Sequence, residues 1–202
     1  MTAGLTLDGL TVRRGERTLF RDLSARIPAG TALALTGANG AGKTTLLRII
    51  AGLVRPEAGT VALDGQAAEA SRAGALHLLG HLDGLKGGRR AGDELAFQAR
   101  WLGADPSAIE DAVQRLALGP LLQIEVRRLS AGQRRRLAFA RLLAAPRPLW
   151  LLDEPFAPLD ARWRAELGQA MARHLADGGL VVAAVHDPLP VAAATLDLGG
   201  LA

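Results

Sequence analysis

The sequence predicts an α/β domain, in which a buried parallel sheet carries an antiparallel β region ahead of it and a helical lobe inserted within it. Three observations lead there. Leu149 to Leu152 and Leu180 to Val185 are short apolar runs of the kind that form strands covered on both faces. Thr31 to Thr36, another apolar run, passes directly into a glycine-rich segment and then into a stretch with helical spacing. The middle third changes to helical periodicity before the apolar strands resume.

In chain order, Leu5 to Val12 alternates loosely and Ser24 to Ile27 leads into a turn at Pro28, Ala29 and Gly30, so the chain opens with short strands. Thr31 to Thr36 is the next strand, and Leu46 to Ala51 the helix after the glycine-rich loop. Thr60 to Leu63 sits between the turn residues of Pro56 to Gly65 and reads as a hairpin strand returning to the first sheet. Leu76 to Gly80 is a further buried strand. Asp93 to Leu102 and Ser107 to Ala117 have helical spacing, the second with Asp105 as N-cap and Pro106 at the first helical position. One domain over residues 1–202 is expected, with the helical lobe over roughly 82–138.

Composition excludes several classes. With no cysteine, the chain has neither disulfides nor thiolate metal sites. Residues 1–30 lack a signal-peptide core, and no stretch reaches the roughly 18 apolar residues of a membrane helix. The net charge of +4 comes from 24 basic and 20 acidic residues. The bases are scattered except at Arg134, Arg135 and Arg136, and no aromatics interleave with them, so no nucleic-acid partner is expected. The three arginines are read as solvated helix faces.

Gly37-Ala38-Asn39-Gly40-Ala41-Gly42-Lys43-Thr44-Thr45 contains G-x-x-x-x-G-K-[ST] between a strand and a helix, the setting of a P-loop. Glycines let backbone amides turn inward around phosphate oxygens, and the following helix N-terminus adds positive potential. Lys43 is one of only two lysines, the other being Lys86. It is expected on the β- and γ-phosphates, with the Thr44 hydroxyl on Mg²⁺. The strand Leu149 to Leu152 ends in Asp153 and Glu154, at the carboxyl edge where ligands of open α/β sheets bind. Asp153 suits the Mg²⁺ shell, and Glu154 the base that deprotonates attacking water. His186, at the end of the strand Leu180 to Val185, is either a γ-phosphate contact or a satisfied loop residue. Ser130, within Leu129-Ser130-Ala131-Gly132-Gln133, caps a helix whose first amides form a second anion site.

This order of motifs resembles the ABC ATPase family: a P-loop NTPase core with an N-terminal antiparallel β region and an inserted helical lobe. The resemblance covers nearly the whole chain, and Leu-Ser-Ala-Gly-Gln is what separates the family from other P-loop proteins. It implies ATP and Mg²⁺ as cofactors, and a homodimer in which two ATP molecules are sandwiched. Ser130, Ala131, Gly132 and Gln133 would then face the nucleotide on the other subunit's P-loop, and Asp160 would communicate between the two sites. Residues 78–86, 129–142 and 150–160 are similar to the haem-exporter ATP-binding subunits of bacterial cytochrome c maturation. That likeness implies a peripheral subunit on the cytoplasmic face of the inner membrane, bound to integral membrane transporter subunits, with segment 82–100 as the groove for the membrane partner. The alternatives are the ATPase of another small bacterial ABC exporter and a soluble, non-transport ABC protein.

Two positions depart from the family pattern. Arg14 stands where an aromatic usually stacks on adenine, and its guanidinium is expected to stack there instead. His81 stands where a glutamine usually bridges Mg²⁺ and the helical lobe; because Mg²⁺ prefers oxygen, His81 is expected to serve coupling while water completes the metal shell.

Overall fold

A computed structural model describes residues 4–64, 66, 67 and 74–200. The chain opens with a long hairpin, β1 (Gly4–Arg14) and β2 (Arg17–Pro28), joined by a tight turn. β3 (Ala32–Thr36) leads into the glycine loop and α1 (Lys43–Ile50). β4 (Ala58–Leu63) returns antiparallel to β1, as expected of Thr60 to Leu63, and β5 (Gln66–Ala67) pairs with it, giving a sheet in the order β2-β1-β4-β5. Gly65, read as a turn residue, lies outside the described residues.

β6 (Leu76–Leu79), β7 (Leu149–Asp153), β8 (Leu180–Ala184) and β9 (Ala194–Asp197) join β3 in a parallel sheet of order β6-β7-β8-β3-β9. β7 and β8 are buried at every position, and alternate side chains serve different cores. Leu149, Leu151, Leu180 and Val182 pack with Leu5, Phe20, Leu35 and Leu46 beneath the antiparallel sheet. Trp150, Leu152, Val181 and Ala183 pack on the other side with Leu95, Phe139, Leu167 and Met171. The sheet is therefore fixed from both faces, which makes its carboxyl edge a rigid platform. Truncating a side chain such as Leu151, fully buried at 0% exposure, would cost about 2–5 kcal/mol.

The helices between β6 and β7 are α2 (Ala91–Trp101), α3 (Pro106–Arg115) and α4 (Ala131–Ala144). Asp93 and Glu94 occupy the first turn of α2, where the macrodipole favours them. Pro106 opens α3 and Asp105 precedes it, but the Asp105 side chain makes no capping bond. α3 ends two residues earlier than its periodicity suggests, because Ala117 turns left-handed at φ 46° and breaks the helical path. α5 (Ala161–Ala176) connects β7 to β8. β9 has no counterpart in the sequence reading: its four residues are largely exposed and it owes its strand form to pairing with β3.

At the opposite edge of the sheet, His77 is buried and its Nε2 donates to the Ala145 carbonyl at 2.6 Å, while the His174 ring stacks on Trp150 with centroids 4.1 Å apart. Burial pushes His77 down to about 4 from its ordinary 6.5, outweighing that hydrogen bond, with Arg141, Arg147 and His174 adding to the drop.

Candidate functional site

The loop between β3 and α1 turns through left-handed backbone at Gly37, Gly40 and Gly42, conformations glycine adopts without steric cost. At Gly42 (φ 103°) space is also tight: a Cβ there would stand 3.2 Å from the Phe20 ring and 3.3 Å from Leu19 Cβ. The loop is thus seated on β2. Lys43, 7% exposed, folds back across the loop, its ammonium donating to the carbonyls of Gly37 at 2.6 Å and Ala38 at 3.3 Å. Ala38, Asn39 and Gly40 form the exposed crown, while Thr44 and Thr45 are half-buried in the first turn of α1. The Thr44 hydroxyl donates to Asp153 Oδ2 at 3.0 Å, so that residues 109 positions apart in sequence meet at one edge.

Thr44 and Asp153 fit a small hard cation. Both present oxygen, and no cluster of three or more His, Cys, Asp or Glu side chains exists among the described residues. A cation held there would take its remaining ligands from phosphate and water, the habit of Mg²⁺.

Glu154 follows Asp153 in left-handed backbone, φ 47°, an uncommon conformation for a non-glycine residue that recurs at functional sites. Its N–H donates to the Ala184 carbonyl at 2.9 Å, which ties it to the end of β8. His186 Nε2 lies 3.2 Å from Glu154 Oε1, and the two border a hollow of about 50 Å³, room for a water. Of the readings open for His186, its ring sits beside the carboxylate of the acidic strand end.

Ser130 caps α4 as the sequence suggests, through a reciprocal capping box: its Oγ accepts from the Gln133 N–H at 3.2 Å, and the Gln133 side-chain oxygen accepts from the Ser130 N–H at 2.8 Å. The amides of Ala131 and Gly132 have no intrahelical acceptor. No hydrogen bond joins Ser130 to Gln133 with the loop of the same chain among the described residues. Gly132 packs so closely on the following loop that a Cβ would lie 2.8 Å from the Pro158 carbonyl oxygen. Asp160 accepts from the Trp163 N–H at 3.0 Å and caps α5, so it has a structural task of its own.

Arg134, Arg135 and Arg136 correct the expectation of solvated helix faces. Arg135 is 3% exposed and reaches Asp83 at 3.2 Å and the Gly80 carbonyl at 3.3 Å. Arg136 bonds the Leu116 carbonyl at 2.9 Å and stacks over Trp163 at 4.1 Å. Arg134 bonds the Leu129 carbonyl at 2.7 Å. A guanidinium's donors can satisfy loop and helix-end carbonyls that three helical directions happen to meet, and charge alone did not reveal those neighbours. Burial raises Asp83 above its ordinary value despite Arg135 beside it, and lowers Arg135 despite Asp83. Desolvation thus outweighs attraction in this pair.

His81 is exposed and borders, with Ala131, Arg134, Arg135, Glu154 and Pro158, a cleft of about 470 Å³ between the helical lobe and the acidic edge. Arg14 is exposed at the end of β1, directly opposite Arg17. The arginine that approaches the loop is Arg17, whose Nη1 lies 3.9 Å from where a Gly40 Cβ would stand. Arg17 belongs to no motif; only its place three residues before Phe20 on a strand next to the loop could have suggested it.

A phosphate loop beside an acidic strand end is common to many nucleotide-hydrolysing proteins. The helix capped at Ser130, opening on Leu129-Ser130-Ala131-Gly132-Gln133, is not, and it narrows the class to ABC-type ATPases. The profile of the ABC transporter family matches residues 20–157, and the chain belongs to that family. Within it the chain groups with the ATP-binding export proteins of cytochrome c biogenesis. It is 46% identical over 194 residues to the cytochrome c biogenesis ATP-binding export protein CcmA of Rhodopseudomonas palustris (strain BisB5), covering 96% of this chain and 97% of that protein. It is 48% identical over 183 residues to the protein of the same name from Hyphomonas neptunium, covering 91% and 90%. Among solved structures, a bacterial Atm1-family ABC exporter with ATP bound superposes with a TM-score of 0.85 at 25% identity, over 100% of this chain and 38% of that one. A dimeric ATP-binding cassette in a post-hydrolysis state with ADP and Pi superposes with a TM-score of 0.80 at 24% identity, over 91% and 88% of the chains, a likeness of fold. No helix among the described residues is long and apolar enough to cross a membrane.

Proposed function

We propose that this chain is the ATP-hydrolysing subunit of an ABC exporter serving cytochrome c biogenesis, driving haem delivery or release of a haem-loaded chaperone. The observation that carries the reading is the meeting of Lys43, Thr44, Asp153, Glu154 and His186 at one sheet edge, in a chain that is similar along nearly its whole length to cytochrome c biogenesis ATP-binding export proteins.

In this mechanism the amides of residues 37–45 cradle the phosphates, and the Lys43 ammonium exchanges the Gly37 and Ala38 carbonyls for β- and γ-phosphate oxygens. Thr44 and Asp153 hold Mg²⁺, which supplies charge neutralisation on the phosphates when bound. Glu154, held in place by its backbone bond to Ala184, accepts the proton of the attacking water. His186 orients the Glu154 carboxylate and contacts the γ-phosphate. Ser130, Ala131, Gly132 and Gln133 face the nucleotide of a second copy, and Asp160 lies between the two sites. The γ-phosphate then binds the closed dimer selectively, and its loss on hydrolysis releases it. The domain spans 1–202 with its helical lobe over roughly 82–138. It works as a peripheral homodimer at the cytoplasmic face of the inner membrane, against integral membrane subunits.

The test is haem staining of c-type cytochromes in cells deleted for the chain and complemented with wild type or Glu154→Gln. The expected result is selective loss of c-type cytochromes, rescued by wild type alone. Normal cytochromes in the deletion would move the exporter to another cargo. In vitro, Glu154→Gln is expected to bind ATP, lose hydrolysis by about 10² or more and accumulate as closed dimer.

A further inference from the structure

We propose that Arg17 is a nucleotide-binding residue: its guanidinium closes over the phosphate loop of its own chain and grips the triphosphate tail, so that affinity follows phosphate charge more than base identity. The inference rests on the nucleotide reading above and adds to it a residue outside every motif.

Packing brings Arg17 there. The pairing of β1 with β2 shifts register at this end, with Val12 facing Phe20 but Arg13 facing Thr18, so Leu19 is an extra residue in β2. A bulge of this kind re-aims side chains, and here Leu19 and Phe20 are both turned inward against Gly42, where a Cβ would meet them at 3.2–3.3 Å. The start of β2 is thereby fastened to the second half of the loop. Arg17, just before the bulge, projects its Nη1 to 3.9 Å from the position of a Gly40 Cβ, and both Arg17 and Gly40 are exposed.

Charge gives an independent reason. Arg14 and Arg17 face each other directly at the hairpin end, and like charges so placed repel. Among the described residues neither makes an ion pair, although Glu16 lies in the turn between them. An unneutralised guanidinium pair, of which Arg17 reaches a loop whose amides select anions, is complemented by a polyanion, and the planar fork of arginine matches phosphate oxygens two at a time. The base, by contrast, is offered no aromatic partner by this hairpin end.

The experiment is calorimetric titration of the full chain with ATP, GTP and inorganic tripolyphosphate, for wild type, Arg17→Ala, Arg17→Lys and Lys43→Ala. Because Arg17 is exposed, its variants are expected to melt like wild type. Arg17→Ala is expected to weaken all three ligands by a common factor of about tenfold, the scale of one hydrogen bond to a charged group. Arg17→Lys, keeping charge without the fork, should fall between. Unchanged binding by Arg17→Ala would overturn the clamp, as would weakened ATP and GTP with tripolyphosphate untouched, which would put Arg17 on the base. Wild type that binds none of the three, or Lys43→Ala that binds them as tightly, would overturn the nucleotide reading itself.

Discussion

Replacing His77 by glutamine is expected to remove a large part of the chain's acid sensitivity. His77 is 4% exposed, and that burial holds it neutral in the folded state against the pull of the Ala145 carbonyl that accepts from its Nε2. Its folded value of about 4 lies below the ordinary 6.5. The unfolded chain therefore takes up this proton first as pH falls, and stability is lost on going down through 6.5 towards 4. Fully expressed, the difference is about 3 kcal/mol, of which about 2 kcal/mol is lost between pH 7 and pH 5. The charges facing the ring, Arg141, Arg147 and His174, all oppose its protonation. His174 is itself lowered by burial, and so adds in the same direction. Urea unfolding at pH 7, 6 and 5 measures this, with the stack of His174 on Trp150 giving a fluorescence reporter in the same region. Glutamine keeps a donor for Ala145 but does not titrate. The difference between wild type and His77→Gln across the pH series should shrink by about 2 kcal/mol from pH 7 to pH 5. Parallel stability curves would refute the reasoning.

Two further outcomes follow from the packing around α4. Gly132→Ala would drive a Cβ to 2.8 Å from the Pro158 carbonyl oxygen, backbone that cannot rotate away; a loss of about 1–3 kcal/mol is expected, read as a lowered melting temperature together with reduced ATPase activity as the loop before Asp160 shifts. Asp83→Ala would leave Arg135 buried without its carboxylate, at a cost of about 3–5 kcal/mol. Adding Arg135→Met to it should recover most of that loss in urea unfolding, since the pair is held against its own desolvation.

Local chemistry made much of this protein legible from its sequence. Gly37 to Thr45, Asp153, Glu154 and the Ser130 cap are encoded by residue types whose backbone freedom, charge or capping geometry has meaning within a few positions. The strands of the parallel sheet were readable because burial on both faces permits little but apolar residues, and the α/β class followed from their alternation with helices. Tertiary structure decided what depends on neighbours distant in the chain. β9 is a strand because β3 offers it a ladder, not because its residues favour one. The arginines after the signature look solvated until the Gly80, Leu116 and Leu129 carbonyls are seen beside them. Arg17 carries no signal in sequence, and it reaches the loop only because a bulge at Leu19 seats β2 against Gly42. The physical division is between preferences a residue carries with it and the fields, carbonyls and cavities that exist only after distant segments have packed.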